Sequence, residues 1–211
     1  MTYSVKEIYY TLQGEGAQTG RAAVFLRFSG CNLWTGLERD RVTAVCQFCD
    51  TDFIGTDGPG GGRFKSPGDL AEAVASQWPK DHPGCPYVVC TGGEPLLQVD
   101  EALIAALHAR GFEIGVETNG TQEAPPGLDW ICVSPKADAE LKLMSGSELK
   151  LVYPQALAQP EKFSGLKFDH FFLQPMDGPD RVANTKAATD YCLANPQWRL
   201  SLQTHKLIGI P

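Results

Sequence analysis

Between Gly30 and Thr51 the chain reads G-C-N-L-W-T-G-L-E-R-D-R-V-T-A-V-C-Q-F-C-D-T, which gathers Cys31, Cys46 and Cys49 into one stretch. Cys46 and Cys49 form a C-x-x-C turn, in which two intervening residues reverse the chain so that both thiolates can converge on one metal or cluster. Cys31 arrives from the end of an apolar strand, Ala23 to Phe28. The count of three is informative. A closed zinc site wants four protein ligands, and an electron-transfer iron–sulfur cluster usually takes four cysteines. Three thiolates on a cubane leave one iron open to a small molecule. A thioredoxin-like redox pair, a zinc turn with a distant fourth ligand and chance clustering stay open on these residues alone.

Other polar groups recur at the ends of apolar runs. These are Thr91-Gly92-Gly93-Glu94-Pro95, Glu117-Thr118-Asn119-Gly120, Ser134-Pro135-Lys136, Gln174-Pro175-Met176-Asp177 and Gln203-Thr204-His205-Lys206. Leu12-Gln13-Gly14-Glu15-Gly16 is a glycine-flanked loop presenting an amide and a carboxylate, and Arg27 stands at the end of an apolar strand. In parallel α/β folds the C-terminal ends of all strands share one face, and that face holds the site. Five such motifs beside a thiolate cluster place the chemistry on that rim.

The elements that must position these groups follow from periodicity. Ser4–Tyr10 reads as a short strand or extended lead-in, and strands are expected at Ala22–Phe28, Tyr87–Thr91, Glu113–Thr118, Trp130–Ser134, Glu148–Tyr153, Phe171–Gln174 and Leu200–Gln203. Helices are expected after the Ser66 cap with Pro67 in the first turn, from Asp100 to a stop at Gly111, and over Val182–Leu193. Asp57–Gly62 reads as a mobile glycine-rich loop. About seven strands and about three solid helices are too few for a complete eight-unit barrel. The expected fold is α/β, a partial, open (β/α) barrel with trimmed helices, with a doubly wound open sheet as the alternative.

The 211 residues read as one domain, 1–211, of ordinary globular composition. A net charge of −7 without a Lys/Arg cluster argues against nucleic acid or an anionic membrane as partner. No apolar run approaches the ~20 residues of a membrane span, and no signal peptide is read before Tyr3. Seven cysteines, several of them inside strand patterns, fit a reducing cytoplasm better than a disulfide framework. Cys85, Cys90, Cys132 and Cys192 read as buried or incidental thiols.

Gly92-Gly93-Glu94-Pro95 after a buried strand looks like the S-adenosylmethionine (SAM) binding motif of radical SAM enzymes. Its glycines expose backbone groups and its carboxylate can hold a ligand ammonium. Together with the three cysteines, Phe48 inside the C-x-x-C, Leu12–Gly16 and Glu117–Gly120, it makes the chain similar to the 7-carboxy-7-deazaguanine synthases over nearly its full length. The departure is the fourteen-residue gap between Cys31 and Cys46, where most radical SAM proteins have three. Asn32–Val45 then reads as an insertion in the cluster loop, closed at modest entropic cost.

The resemblance implies a ring contraction, 6-carboxy-5,6,7,8-tetrahydropterin to 7-carboxy-7-deazaguanine with loss of ammonia, on the route to queuosine-type deazapurines. It implies a [4Fe–4S] cluster on Cys31, Cys46 and Cys49, with SAM chelated at the open iron as a radical source that is regenerated. SAM contacts fall to Phe48, Cys49, Asp50, Gly93, Glu94, Ser134, Pro135, Lys136, Gln174, Pro175, Met176 and Asp177, and a Mg²⁺ ligand to Thr51. Pterin contacts fall to Leu12, Gln13, Gly14, Glu15, Arg27, Thr91 and His205, with Arg27 forking the substrate carboxylate and Glu117 and His205 as candidates for proton handling. The apolar tail to Pro211 is expected to pack back and bring a terminal carboxylate to the pterin. A reducing donor such as flavodoxin or ferredoxin and a homodimer are the implied partners. The competing classes are a radical SAM activase acting on a partner protein, which needs a peptide groove, and a zinc or electron-carrier module without turnover.

Overall fold

The central strands are largely apolar runs with single polar residues near their C-terminal ends, and a period of two sorts successive side chains onto opposite faces of one sheet. The computed structural model describes residues 2–80 and 83–211. Its elements are β1 (Tyr3–Leu12), β2 (Ala22–Phe28), β3 (Gly62–Phe64), α1 (Pro67–Ala75), β4 (Tyr87–Gly92), α2 (Glu101–His108), β5 (Glu113–Thr118), β6 (Trp130–Val133), β7 (Ser145–Tyr153), β8 (Lys167–Pro175), α3 (Arg181–Ala194), β9 (Trp198–Leu200) and α4 (Thr204–Ile208). They form a nine-stranded sheet in the order β3-β1-β2-β4-β5-β6-β7-β8-β9. From β2 onward every neighbouring pair is parallel, while β1 runs antiparallel to both β2 and β3. The end strands β3 and β9 do not pair with each other, so the sheet stays open, as a partial barrel requires.

One face is covered by helices. Val24, Leu26, Phe28, Val88, Cys90, Ile114 and Val116 pack against Leu70, Val74, Leu103 and Leu107 of α1 and α2. Leu149, Leu151, Phe171 and Leu173 form a second cluster with Ala188 of α3 and Trp198. On the opposite face Ala23, Phe25, Tyr87 and Val89 make a small apolar floor. The next residues in that alternation, Arg27 and Thr91, are paired in register across β2 and β4.

The expected caps are present: Ser66 Oγ accepts from Asp69 N at 3.1 Å and Asp100 Oδ1 from Leu103 N at 2.9 Å. Three expectations change. The glycine-rich Asp57–Gly62 segment lies against β1, where Gly58 N donates to Lys6 O (3.0 Å) and Ile8 N to Pro59 O (2.7 Å), and it leads into β3. The final strand is Trp198–Leu200 rather than Leu200–Gln203, because the buried Trp198 sets its register beside Phe171 and Tyr191. Thr204–Ile208 is instead helical. The tail packs back only at its end: Leu207 and Ile208 are 61% and 57% exposed, while α4 turns His205 and Lys206 toward the cavity and Pro211 O accepts from Thr11 Oγ1 at 3.0 Å. Among the described residues no helix is long and apolar enough to cross a membrane.

Candidate active site

Arg27, Thr91, Glu117, Lys150 and Gln174 come from β2, β4, β5, β7 and β8 and line one cavity of about 380 Å³ on the helix-free face. Each is the inward residue nearest the strand's C-terminal end or one step before it, so the alternation that buries Leu149 and Leu151 behind the sheet turns Lys150 into the cavity.

Charge is concentrated on Lys150, which is 4% exposed. Its ammonium donates to Glu15 Oε2 and, at 3.1 Å, to Glu117 Oε1. Gln13 Nε2 and Thr91 Oγ1 donate to the Glu117 carboxylate, each at 3.2 Å. Burial opposes the charge on Lys150, but the Glu117 and Glu15 carboxylates outweigh it and hold the ammonium well above its ordinary range. Burial likewise opposes ionisation of Glu117, and the Lys150 charge with three donated hydrogen bonds keeps the carboxyl below its ordinary value. Arg27 donates from Nε to Glu7 Oε1 at 2.8 Å and from Nη2 to Tyr9 Oη at 2.9 Å. His205 lies directly on Gly14, where an added Cβ would collide with the imidazole, and Thr204 N donates to Gly14 O at 3.0 Å.

The cysteines lie at the adjoining wall. Cys46 and Cys49 interact across the turn, which pulls Cys49 down to about 6 and pushes Cys46 up. Cys31 is reached through the strand ends: Glu94 N donates to Gly30 O at 2.9 Å, and a side chain on Gly93 would strike Gly30 and Cys31. Asn32 Nδ2 donates to Thr121 Oγ1 (2.8 Å) and Asn119 Nδ2 to Asn32 Oδ1 (3.0 Å), pinning this corner to the end of β5. Lys136 is driven below its ordinary range by burial, against the pull of Cys46 and Cys49. Across the rim Lys206 Nζ bridges Asp50 and Asp177, the latter at 2.7 Å.

Residues 43–144 match the radical SAM superfamily, a span that includes Cys46, Cys49 and the Gly92–Pro95 motif and begins after Cys31. The chain is 67% identical to the 7-carboxy-7-deazaguanine synthase of Caulobacter vibrioides and 66% identical to that of Bordetella pertussis, with 100% of both chains covered in each case. This chain belongs to the 7-carboxy-7-deazaguanine synthase family. The crystal structure of QueE from Escherichia coli is similar in fold, with a TM-score of 0.72, 29% identity, and coverage of 97% of this chain and 95% of that one.

Of the residues expected from the family resemblance, Leu12, Gln13, Gly14, Glu15, Arg27, Phe48, Cys49, Asp50, Thr51, Thr91, Gly93, Glu117, Ser134, Lys136, Gln174, Pro175, Met176, Asp177, His205 and Pro211 all line the cavity. Cys31, Cys46, Glu94 and Pro135 are not among the residues that line it. Glu94 is fully buried and accepts from Leu96 N (3.0 Å), Thr118 Oγ1 (2.7 Å) and Asn119 N (2.8 Å), so its carboxylate also ties the ends of β4 and β5 together. Sequence reasoning passed over Lys150, whose signal was a cation between Leu149 and Leu151, and over Glu7 and Tyr9, which anchor Arg27.

Proposed function

We propose that this cavity contracts the ring of 6-carboxy-5,6,7,8-tetrahydropterin to 7-carboxy-7-deazaguanine with loss of ammonia, as a radical SAM lyase of queuosine and deazapurine biosynthesis. The observation that carries the reading is the meeting of two halves in one space: the Glu15–Lys150–Glu117 group beside Arg27, and the cysteine turn beside Gly93. A cavity of about 380 Å³ suits a small molecule rather than a polypeptide, which favours this chemistry over an activase.

A [4Fe–4S] cluster and SAM supply, when bound, the one-electron chemistry that opens the reaction at a substrate C–H bond. Cys31, Cys46 and Cys49 would hold the cluster. Among the described residues no three His, Cys, Asp or Glu side chains close in on a single metal ion. A cubane asks for something else, one thiolate per iron, and three undisulfided cysteines from a turn and a neighbouring loop fit that demand. Gly93, Phe48, Asp50, Ser134, Lys136 and the Gln174–Asp177 corner line the cavity, where they would hold SAM. Thr51 offers a hydroxyl oxygen suited to Mg²⁺ that is shared with a substrate carboxylate.

The protein's own share is recognition and charge. Lys150 holds the Glu15 and Glu117 carboxylates side by side, so both can accept N–H groups from the pterin edge. Arg27, aimed by Glu7 and Tyr9, presents the rest of its fork to the substrate carboxylate. Gln13, Thr91 and Leu12 complete the wall, His205 is placed to handle a proton, and Pro211, whose carbonyl accepts from Thr11 Oγ1 at 3.0 Å, borders the same space. A flavodoxin or ferredoxin as donor and a homodimeric assembly complete the reading. The test is anaerobic reconstitution followed by turnover of the carboxy-tetrahydropterin with SAM and Mg²⁺. Formation of 7-carboxy-7-deazaguanine by the parent and its loss in Glu117→Gln is the expected result. Iron-loaded protein that yields no product would overturn the reading.

A further inference from the structure

The Asn32–Val45 insertion folds into a compact buttress for the cysteine turn. Its first half returns on itself, with Val45 N and Cys46 N both donating to Leu33 O, at 3.1 and 3.4 Å. Trp34 is 7% exposed and stands edge-on to Phe53, with ring centroids 5.6 Å apart, which fixes the insertion to the body of the protein. A 3-10 turn, Glu38–Thr43, then places Arg41 with its guanidinium carbon 4.0 Å from the Trp34 ring centroid. The two nitrogens Nε and Nη2 are held by the Glu38 carboxylate. That leaves Nη1, which donates to Gln47 O at 2.9 Å and Cys49 O at 3.0 Å. One guanidinium therefore grips two carbonyls of the turn bearing Cys46 and Cys49, while stacking and an ion pair stop it from swinging away.

We infer that Arg41 is a positioning residue for the cluster, and that the insertion exists here to aim it at the C-x-x-C turn. A planar guanidinium held along one edge by Glu38 and stacked on Trp34 has a fixed direction, and it aims the two N–H groups of its remaining nitrogen at both carbonyls. Lysine has the charge but neither the fork nor the flat face for Trp34. Arg39, 79% exposed and paired only within the insertion to Asp40, serves as the internal control. The inference rests on the three-cysteine reading above.

The test compares the parent, Arg41→Ala, Arg41→Lys, Glu38→Gln and Arg39→Ala after anaerobic reconstitution. Iron and acid-labile sulfide per chain are measured, then the rate at which cluster absorption bleaches in air-equilibrated buffer. In metal-free protein the alkylation rate of Cys46 and Cys49 is followed, and far-UV circular dichroism checks folding. Loss of an outer partner of a metal ligand typically costs 10–100-fold, so Arg41→Ala is expected to bleach at least roughly tenfold faster. Arg41→Lys should sit close to Arg41→Ala, Glu38→Gln between them and the parent, and Arg39→Ala with the parent. Faster alkylation in Arg41→Ala with an unchanged dichroism spectrum would separate a loosened turn from general unfolding. Parent-like bleaching and alkylation in Arg41→Ala or in Arg41→Lys overturns the inference. A parent that binds no iron would instead defeat the cluster reading on which it stands.

Discussion

At the scale of single residues, the site depends on charges that only exist because each has a partner. Removing one member of a buried ion pair leaves its counter-ions uncompensated and commonly costs 3–5 kcal/mol. Lys150→Met is therefore expected to lower stability by about 3 kcal/mol, read from urea unfolding, and to abolish turnover, because Glu15 and Glu117 lose the counter-ion they share. A variant that keeps parent stability would mean the three groups are hydrated and not a closed pair. The cysteines divide just as sharply. Cys31→Ala, Cys46→Ala and Cys49→Ala should each lose reconstituted iron, while the exposed Cys85 and the half-buried Cys192 should tolerate alanine with iron content unchanged. Equal losses in both sets would dissolve the three-ligand assignment. Arg27→Lys tests geometry rather than charge. Lysine cannot keep the contacts to Glu7 and Tyr9 and still fork a carboxylate, so substrate binding should weaken by ~2 kcal/mol or more.

At the scale of elements, α4 is the piece whose position matters most and whose own stability is least. Five residues cannot sustain an isolated helix, so its placement rests on attachments. Thr204 N holds Gly14 O, His205 packs on Gly14, and Lys206 clasps Asp50 of the cysteine turn and Asp177 of the β8 corner. Exposed ion pairs contribute roughly 0.2–1 kcal/mol each and are screened by salt. Lys206→Ala should then raise the KM for pterin or SAM by roughly fivefold at low salt, with the parent approaching the variant as ionic strength rises. A KM indifferent both to the substitution and to salt would show that α4 is held by Gly14 alone. Gly14 itself admits no side chain beneath His205, so Gly14→Ala should displace α4 and raise KM without unfolding the sheet.

At the scale of the whole molecule, the fold brings groups from five strands to one cavity, and pH reports on the buried charges among them. Glu117 binds its proton more weakly in the folded protein than in the unfolded chain. Its contribution to stability is thus fully present above the ordinary glutamate pKa of about 4.3 and is lost as pH falls through the depressed folded value. The stability difference between the parent and Glu117→Gln, from urea midpoints, should be flat above about pH 5 and shrink only under more acid conditions. A difference that already shrinks between pH 7 and 6 would contradict the direction of that shift. Much of this was legible locally. The C-x-x-C, the glycine-rich corner and the polar strand ends are short-range signals, because turns and strand termini are set by neighbouring residues, and the parallel order of an open partial barrel followed from apolar runs separated by helix caps. The three-residue strands β3 and β9 and the short α4 escaped, since three to five residues hold too little periodicity to outweigh chance. Lys150 escaped for a deeper reason. Whether a charged side chain faces ligand, solvent or the backs of other strands depends on partners far along the chain, here Glu15 and Glu117. The amino-acid sequence by itself determined which chemistry the chain can hold and at which strand ends; only the tertiary structure, by choosing the faces that curve around the cavity, decided which of those charges meet.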